Sequence, residues 1–223
     1  MPARAVIFDL DGTLLDTLED LADAGNNTLA ALGYPIHPVD SYRQFVGDGV
    51  ATLVRRALPD GAQHDFDRAL ARMREEYAVH WKVKTKPYEG ITEMLDGLAA
   101  KGIPLCVLSN KPDTFCQLTM EHFFPGWPWA AVVGESEKYP RKPDPAGAKA
   151  ISEKLGIAPG DFLFLGDSPM DMLCALGAGM TPVGATWGFR EKATLEAAGG
   201  KIFIDRPQEL LQIIQYHSHK KTL

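Results

Sequence analysis

Most of the chain alternates short apolar runs with stretches whose apolar residues recur at helical spacing. The apolar runs cover residues 5–8, 104–108, 130–133, 162–165, 182–185 and 202–204. Runs of this kind are typical of parallel strands that are buried on both faces. Between them, residues 93–101 and 146–155 each place apolar side chains on one face of a helix. The alternation predicts an α/β fold with a Rossmann-like, doubly wound parallel sheet, in which ligands bind beyond the carboxyl ends of the strands.

The interval from Leu15 to Pro87 interrupts this alternation, because it contains no convincing strand pattern. A first helix is predicted after Thr17, which together with Asp20 resembles a capping box. Further helices are predicted in the middle and in the second half of the interval, over residues 50–58 and 66–83. The interval therefore reads as a helical insertion in an α/β protein.

These boundaries divide the chain into a discontinuous core and one insertion. We expect residues 1–15 and 86–223 to form the α/β core, and residues 16–85 to form a small α-helical cap domain inserted after the first strand. The chain returns to the core through Thr85, Lys86 and Pro87. A cap connected in this way would close over the carboxyl end of the first strand.

Charge and cysteine content argue against several classes of partner and site. The 223 residues carry 23 lysines and arginines against 29 aspartates and glutamates, and the net charge of −6 disfavours a nucleic-acid partner. The three cysteines, Cys106, Cys116 and Cys174, are odd in number and have no CxxC spacing, which favours reduced, buried thiols. The first strand begins almost at once, and no apolar run approaches the ~20 residues of a membrane span. We expect a cytoplasmic protein without a membrane partner.

The first apolar run ends in two aspartates, Asp9 and Asp11, followed by Gly12 and Thr13. Side chains two residues apart leave a strand on the same side, so the two carboxylates converge where the chain turns out of the sheet. Like charges held this close repel each other unless a cation, a shared proton or solvent separates them. A hard divalent cation such as Mg²⁺ satisfies that requirement with oxygen ligands.

Two more strands end in polar residues, at the same predicted edge of the sheet. The second run is followed by Ser109, Asn110 and Lys111, and the run ending at residue 165 is followed by the segment from Gly166 to Asp171. Lys142 stands in a proline-stiffened turn. Phosphoryl transfer to an aspartate requires this inventory, which includes a carboxylate nucleophile, an acid for the leaving oxygen, a metal and fixed donors for the phosphate oxygens.

The four motifs, in this order, resemble those of the haloacid dehalogenase-like phosphatase superfamily. They are the DxDGT sequence beginning at Asp9, the Ser109-Asn110 pair, Lys142 before a proline, and the GDSxxD sequence beginning at Gly166. The resemblance covers nearly the whole chain, since the helical insertion is similar to the smaller cap of that superfamily. Within it, the chain looks most like the phosphoglycolate phosphatases, through the FVGDG sequence at 45–49 and the segments around residues 53–58, 87–90 and 109–111.

The resemblance implies roles for the acidic residues. Asp9 would be the nucleophile that forms an aspartyl phosphate, and Asp11 would be the general acid and base. Mg²⁺ would be bound by Asp9, by Asp11 through its backbone carbonyl, and by Asp167. Asp171 would support the metal site without binding the metal directly, or would contact the metal through a water molecule.

The resemblance also implies which residues contact the phosphate, namely Thr13, Ser109, Asn110 and Lys142. In the cap, Arg43 and Arg56 are candidates for a second anionic group on the substrate, although either could be a surface helix residue.

The expected activity is Mg²⁺-dependent hydrolysis of small phosphomonoesters, with 2-phosphoglycolate as the favoured substrate, by a monomer or a homodimer. A dehalogenase would not need an acid at Asp11, since halide leaves without a proton. A phosphosugar mutase, a pyrophosphatase or a nucleotide phosphatase of the same superfamily remains open. A phosphonate hydrolase would require a cap lysine for a Schiff base, and a non-catalytic phosphate-binding regulatory module would not require a nucleophile.

Overall fold

The computed structural model describes residues 3–219, and for residues 215–219 it describes the backbone alone. The chain forms two compact units. One consists of Met1–Leu14 and Pro87–Leu223, and the other of Leu15–Lys86. The outermost residues of the first unit, 1–2 and 220–223, lie outside the described part.

The strands and helices follow one another in the order that the hydrophobic pattern predicts for the first unit. The strands are β1 (Ala5–Phe8), β2 (Leu15–Asp16), β3 (Lys86–Pro87), β4 (Leu105–Pro112), β5 (Trp129–Glu135), β6 (Phe162–Gly166), β7 (Thr181–Ala185) and β8 (Ile202–Ile204). The α-helices are α1 (Leu18–Ala31), α2 (Tyr42–Phe45), α3 (Val50–Ala57), α4 (Phe66–His80), α5 (Ile91–Ala100), α6 (Asp113–Phe123), α7 (Ala146–Leu155), α8 (Pro169–Ala178), α9 (Lys192–Ala197) and α10 (Glu209–His219).

Six strands of the first unit form one parallel sheet in the order β5-β4-β1-β6-β7-β8. All four residues of β1 are fully buried, because neighbouring strands and helices on both faces enclose it. From β1 the sheet grows through β4 in one direction and through β6 in the other. A reversal of this kind is where open α/β sheets bind ligands. The predicted doubly wound, Rossmann-like fold is confirmed.

The second unit consists mainly of helices, with α1 packed against α4 and α3 against α4. Its core includes Leu29, Leu53 and Met73, which are almost fully buried. The two-residue strands β2 and β3, which pair with each other where the insertion begins and ends, were not predicted. A strand of two residues is too short to produce a hydrophobic period, so the sequence pattern carries no signal for it.

The predicted capping box at Thr17 and Asp20 is wrong. Helix α1 begins at Leu18, and its N-terminus receives no side-chain hydrogen bond from Thr17. The buried carboxylate of Asp20 instead accepts hydrogen bonds from the backbone N–H groups of Lys84 and Thr85 and from the Thr85 hydroxyl, at distances between 2.7 and 3.1 Å. Asp20 therefore connects the first helix of the insertion to its last residues.

Arg56, one of the two arginines considered for a second substrate anion, contacts its own unit. Its guanidinium donates to the backbone carbonyls of Gln44 and Phe45 and pairs with Asp48. These bonds satisfy carbonyls at the C-terminal end of the short helix α2. Arg43 pairs with Asp40, at 3.0 Å.

Candidate active site

The carboxyl edge of the sheet gathers the polar residues that the sequence places after its strands. Asp9 directly follows β1 and continues its ladder, since its N–H donates to the carbonyl of Leu165 at 2.9 Å. Ser109 lies inside β4, which continues four residues beyond the predicted run at 104–108. Asp167 directly follows β6. The parallel arrangement thus brings three strand ends to one place.

Asp9 is held at this edge by two donors. Its Oδ1 accepts the N–H of Leu10 at 2.7 Å and pairs with the Lys142 Nζ, also at 2.7 Å. Burial raises the pKa of the Asp9 carboxyl well above its ordinary value, with Asp171 adding to the increase and Lys142 opposing it. The two donors thus orient the carboxylate, while burial and Asp171 favour its protonated form.

Lys142 is fixed by the side chain of Asn110. The Lys142 N–H donates to Asn110 Oδ1 at 2.7 Å, and Asn110 Nδ2 donates to the Lys142 carbonyl at 3.2 Å. The Lys142 ammonium lies 2.7 Å from both Asp9 and Asp171. Burial alone lowers the pKa of Lys142, but Asp171 and Asp9 outweigh burial and hold the pKa above its ordinary value.

Asp171 lies at the start of α8, where it forms a capping box with Ser168. Its Oδ2 accepts the Ser168 N–H at 3.0 Å and the Ser168 hydroxyl at 2.6 Å. Its other oxygen accepts from Lys142. A Cβ on Gly166 would lie 2.3 Å from the Cβ of Asp171, so this close approach requires glycine.

Asp167 is almost fully buried and accepts two hydrogen bonds. Its Oδ1 accepts the Thr13 hydroxyl at 2.9 Å, and its Oδ2 accepts the Phe189 N–H at 2.8 Å. Burial and the nearby Asp171 nevertheless raise the pKa of Asp167 to about 6. A Cβ on Gly12, whose φ is +85°, would lie 2.4 Å from Asp167 Oδ2, and a Cβ on Gly188 would lie 2.2 Å from the Asp167 Cβ.

Asp9, Asp167 and Asp171 form an acidic cluster in which one carboxylate oxygen from each lies within 4.8 Å of the others. A divalent cation fits this cluster, because the ligand atoms are hard oxygens and because three carboxyl groups lie this close together. The sequence predicted that Asp9, Asp11 through its backbone carbonyl, and Asp167 bind the metal, and that Asp171 supports the site without binding it directly. The side chain of Asp11, which that prediction leaves free for acid–base chemistry, pairs with the Lys111 Nζ at 3.0 Å.

The four predicted phosphate contacts are all at this edge, and each of them has a partner within the protein. The Thr13 hydroxyl donates to Asp167, and the Asn110 amide holds the backbone of Lys142. Ser109 is buried, and its hydroxyl accepts the Lys111 N–H at 3.2 Å. The sequence reasoning missed the positioning role of Asn110, the pairing of Lys111 with Asp11 and the contact from Phe189. Lys111 was detectable as a cation directly after the Ser-Asn pair, whereas the other two depend on tertiary structure.

Comparisons with known proteins identify the family to which this chain is related. Residues 6–185 match the family model described as haloacid dehalogenase-like hydrolase. A phosphoglycolate phosphatase from Pseudomonas aeruginosa is 34% identical over 214 residues, which are 93% of this chain and 78% of the relative. A phosphoglycolate phosphatase from Pseudomonas putida is 35% identical over the same shares of the two chains.

A solved structure supports the same assignment at the level of the fold. A protein from Lactobacillus delbrueckii subsp. bulgaricus, assigned as a phosphoglycolate phosphatase, superimposes with a TM-score of 0.89 at 30% identity, covering 96% of this chain and 99% of that one. The matched region contains all four motifs and the insertion between the first two. The chain belongs to the haloacid dehalogenase-like hydrolase family, as its motifs predicted.

Proposed function

We propose that this protein is an Mg²⁺-dependent phosphatase that hydrolyses small phosphomonoesters through an aspartyl phosphate on Asp9, with 2-phosphoglycolate as its substrate. The observation that carries the proposal is the setting of Asp9, a buried carboxylate oriented by Lys142 at 2.7 Å and adjacent to two further carboxylates. A phosphate-binding protein would not require a nucleophile in this position.

In the first step, a carboxylate oxygen of Asp9 attacks phosphorus and the bond from phosphorus to the ester oxygen breaks. Asp11 donates its proton to the departing oxygen. In the second step, water attacks the phosphorus of the aspartyl phosphate, Asp11 takes a proton from that water, and Asp9 is released together with inorganic phosphate. Asp11 suits this alternation because its side chain is partly exposed, at 17%, whereas that of Asp9 is more deeply buried.

Mg²⁺ would be held by the carboxylates of Asp9 and Asp167 and by the backbone carbonyl of Asp11, with Asp171 supporting the site. When bound, the cation supplies positive charge for the phosphate oxygens and allows two anions to approach each other. The protein contributes the orientation of these groups. Thr13 and Phe189 fix Asp167, while Ser168 and Lys142 fix Asp171.

The phosphate would be bound by the Lys142 ammonium, the Ser109 hydroxyl and backbone N–H groups near Leu10 and Asn110. Lys142 already contacts Asp9, so it can stabilise the transferring group without moving far. We assign Asn110 and Thr13 mainly to positioning, because their side chains hold Lys142 and Asp167.

The names of the relatives support 2-phosphoglycolate, since curated proteins 32–35% identical to this chain are phosphoglycolate phosphatases. We further propose that residues 16–85 form the substrate cap of this enzyme, and that it acts in the cytoplasm on a free small molecule, as a monomer or a homodimer. No helix within residues 3–219 is long and apolar enough to cross a membrane.

The test is phosphate release from a panel containing 2-phosphoglycolate, sugar phosphates, nucleotides and pyrophosphate, with Mg²⁺ or with EDTA. The proposal predicts Mg²⁺-dependent release that is fastest, by kcat/KM, for 2-phosphoglycolate. A preference for another ester would discard the named substrate and keep the chemistry. Absence of release from every compound would contradict the phosphatase itself and favour a mutase or a binding protein.

A further inference from the structure

The segment that follows β7 contacts the proposed cation site at two points. The Phe189 N–H donates to Asp167 Oδ2 at 2.8 Å. Two residues earlier, the Trp187 Nε1 donates to the backbone carbonyl of Thr13 at 3.0 Å. Because Trp187 follows β7 and Thr13 follows β1, this second bond connects the ends of two strands that β6 separates in the sheet. Asp167 lies at the end of that middle strand.

Thr13 is the residue through which the Trp187 contact reaches the site. The Thr13 hydroxyl donates to Asp167 Oδ1 at 2.9 Å, and both residues are buried. The Thr13 backbone also belongs to the turn that contains Asp11, because its N–H donates to the carbonyl of Leu10 at 3.3 Å. The position of the Thr13 backbone therefore determines where its hydroxyl meets Asp167.

These hydrogen bonds form a closed ring of contacts. Trp187 donates to Thr13, and Thr13 donates to Asp167. Asp167 in turn accepts from Phe189, which is two residues from Trp187 in the chain. Gly188 allows the segment to come this close, since a Cβ there would lie 2.2 Å from the Asp167 Cβ. Each oxygen of Asp167 is thus held by a group that is itself restrained, as is typical around metal ligands.

Thr186 fixes the start of this segment to the sheet. Its N–H donates to the carbonyl of Ile204, the last residue of β8, at 3.1 Å, and its hydroxyl donates to Asp205. The next residue, Trp187, is half-buried, and Phe189 is buried. The indole therefore projects from a backbone that is bonded to its neighbours, so its N–H can restrain Thr13.

We propose that Trp187 is a positioning residue for the cation site: its indole N–H fixes Thr13, and through Thr13 it holds Asp167 in the orientation that binds Mg²⁺. This inference rests on the proposed function, because the cation belongs to that proposal, and it adds a residue outside the four sequence motifs. Substituting a residue that orients a metal ligand typically weakens metal binding by roughly 10- to 100-fold.

The test measures the binding of Mg²⁺ alone, without substrate, by isothermal titration calorimetry. The dissociation constant does not depend on the fraction of correctly folded protein, which changes the fitted stoichiometry instead. Trp187→Phe removes the indole N–H and keeps an aromatic ring. The matched control is Trp127→Phe, which removes an indole hydrogen bond to the exposed Asp96 in the same unit.

We expect Trp187→Phe to raise the Mg²⁺ dissociation constant by about tenfold, because Trp187 acts on the ligand through one intervening residue. Trp127→Phe should keep the wild-type constant. With 2-phosphoglycolate, the Mg²⁺ concentration that gives half-maximal activity should rise by the same factor in Trp187→Phe. The kcat at saturating Mg²⁺ should stay within about twofold of the wild type, since the cation then restores the orientation of Asp167.

A second variant tests the path from Trp187 to Asp167. Thr13→Val removes the hydroxyl and preserves the shape of the side chain, so it should weaken Mg²⁺ binding at least as strongly as Trp187→Phe. Because Trp187 acts through this hydroxyl, the double variant should bind Mg²⁺ within about twofold of Thr13→Val alone. Effects that multiply in the double variant would mean that Trp187 acts by another path, and would overturn the inference.

The remaining outcomes separate the inference from the function on which it rests. Unchanged Mg²⁺ affinity in Trp187→Phe, with a wild-type protein that binds Mg²⁺, would overturn the inference and leave the proposed function intact. If kcat also fell in that variant at saturating Mg²⁺, Trp187 would have a structural role only. A wild-type protein that binds no Mg²⁺ would overturn the proposed cation together with the inference.

Discussion

Asn110 illustrates how one side chain can position the group that contacts the nucleophile. Its amide forms two hydrogen bonds to the backbone of Lys142, and the Lys142 ammonium reaches Asp9. Both partners are buried, so truncating Asn110 would leave a buried N–H and a buried carbonyl without these hydrogen bonds. The orientation of Lys142, which lies between β5 and α7, therefore depends on a residue of β4.

We expect Asn110→Ala to lower kcat/KM by about 10- to 100-fold, because small displacements of a charged group that stabilises the transition state are costly. Stability should fall by about 2 kcal/mol as buried polar groups lose their partners. Steady-state kinetics and urea unfolding measure the two effects. The control is Asn27→Ala, which removes an exposed hydrogen bond to Glu76 in the insertion. Wild-type kinetics in Asn110→Ala would contradict the positioning role.

Gly12 combines a positive φ with a close approach to Asp167. At φ +85°, an L side chain is strained, and a Cβ would lie 2.4 Å from Asp167 Oδ2. Gly156 also has a positive φ, of +63°, but nothing lies within 4 Å of its Cβ position. Comparing the two sites separates backbone strain from contact with the carboxylate.

Gly12→Ala should therefore lose more activity than Gly156→Ala, and the difference should be at least about tenfold in kcat/KM. Both variants pay roughly 1 kcal/mol of backbone strain, whereas only Gly12→Ala displaces a predicted metal ligand. Mg²⁺ titrations of the two variants provide the second readout, and we expect weaker apparent Mg²⁺ affinity in Gly12→Ala alone. Equal behaviour of the two variants would mean that Asp167 tolerates the displacement.

At the scale of elements, Asp20 ties α1 to the end of the insertion through bonds to residues 84 and 85. Asp20→Ala should destabilise this unit by about 2–4 kcal/mol, because several buried donors lose a charged acceptor. Hydrogen exchange over α1 and α4 measures the effect, with faster exchange expected in both helices. The matched control is Asp23→Ala on the same helix, which removes an exposed pair with Lys84. Unchanged exchange in Asp20→Ala would contradict the connecting role.

The elements also explain which parts of the structure were predictable. Strands β1 and β6 are fully buried and have continuous apolar sequences, so the sheet could be predicted from local sequence. The positions of Asp9 and Asp167 could be predicted too, because each directly follows one of these strands. The partner of Asp20 could not be predicted, because Asp20 and Thr85 are 65 residues apart in the chain. Thr17 and Asp20 also match the spacing of a capping box, which favours a different role for Asp20. The backbone contacts of Asn110 and Phe189 depend in the same way on loops that fold onto the sheet edge.

At the scale of the whole molecule, the proposed function requires that a cation bind a site with excess negative charge. Burial and Asp171 raise the pKa of Asp167 to about 6 in the protein without a bound cation. Below that pH, Mg²⁺ must displace a proton from the carboxyl, and above it the carboxylate is ready to bind. Mg²⁺ binding should therefore stabilise the fold more strongly at pH 7.5 than at pH 5.5.

Thermal unfolding with Mg²⁺ or with EDTA at the two pH values measures this linkage. We expect the Mg²⁺-dependent increase in Tm to be larger at pH 7.5 and to be strongly reduced in Asp167→Asn at both values. The control is Asp144→Asn, an exposed carboxylate of the same unit. An increase in Tm that is equal at both pH values, or that survives in Asp167→Asn, would contradict the assignment of this residue to the cation.

Whether Asp9 is the nucleophile is decided by the kcat of Asp9→Asn with Mg²⁺ and 2-phosphoglycolate. Asn is nearly isosteric, but its amide does not form an acyl phosphate, so we predict a loss of at least about 10³-fold. The exposed control Asp60→Asn should retain the wild-type kcat. A kcat for Asp9→Asn within tenfold of the wild type, in a protein that unfolds at the wild-type temperature, would contradict the assignment.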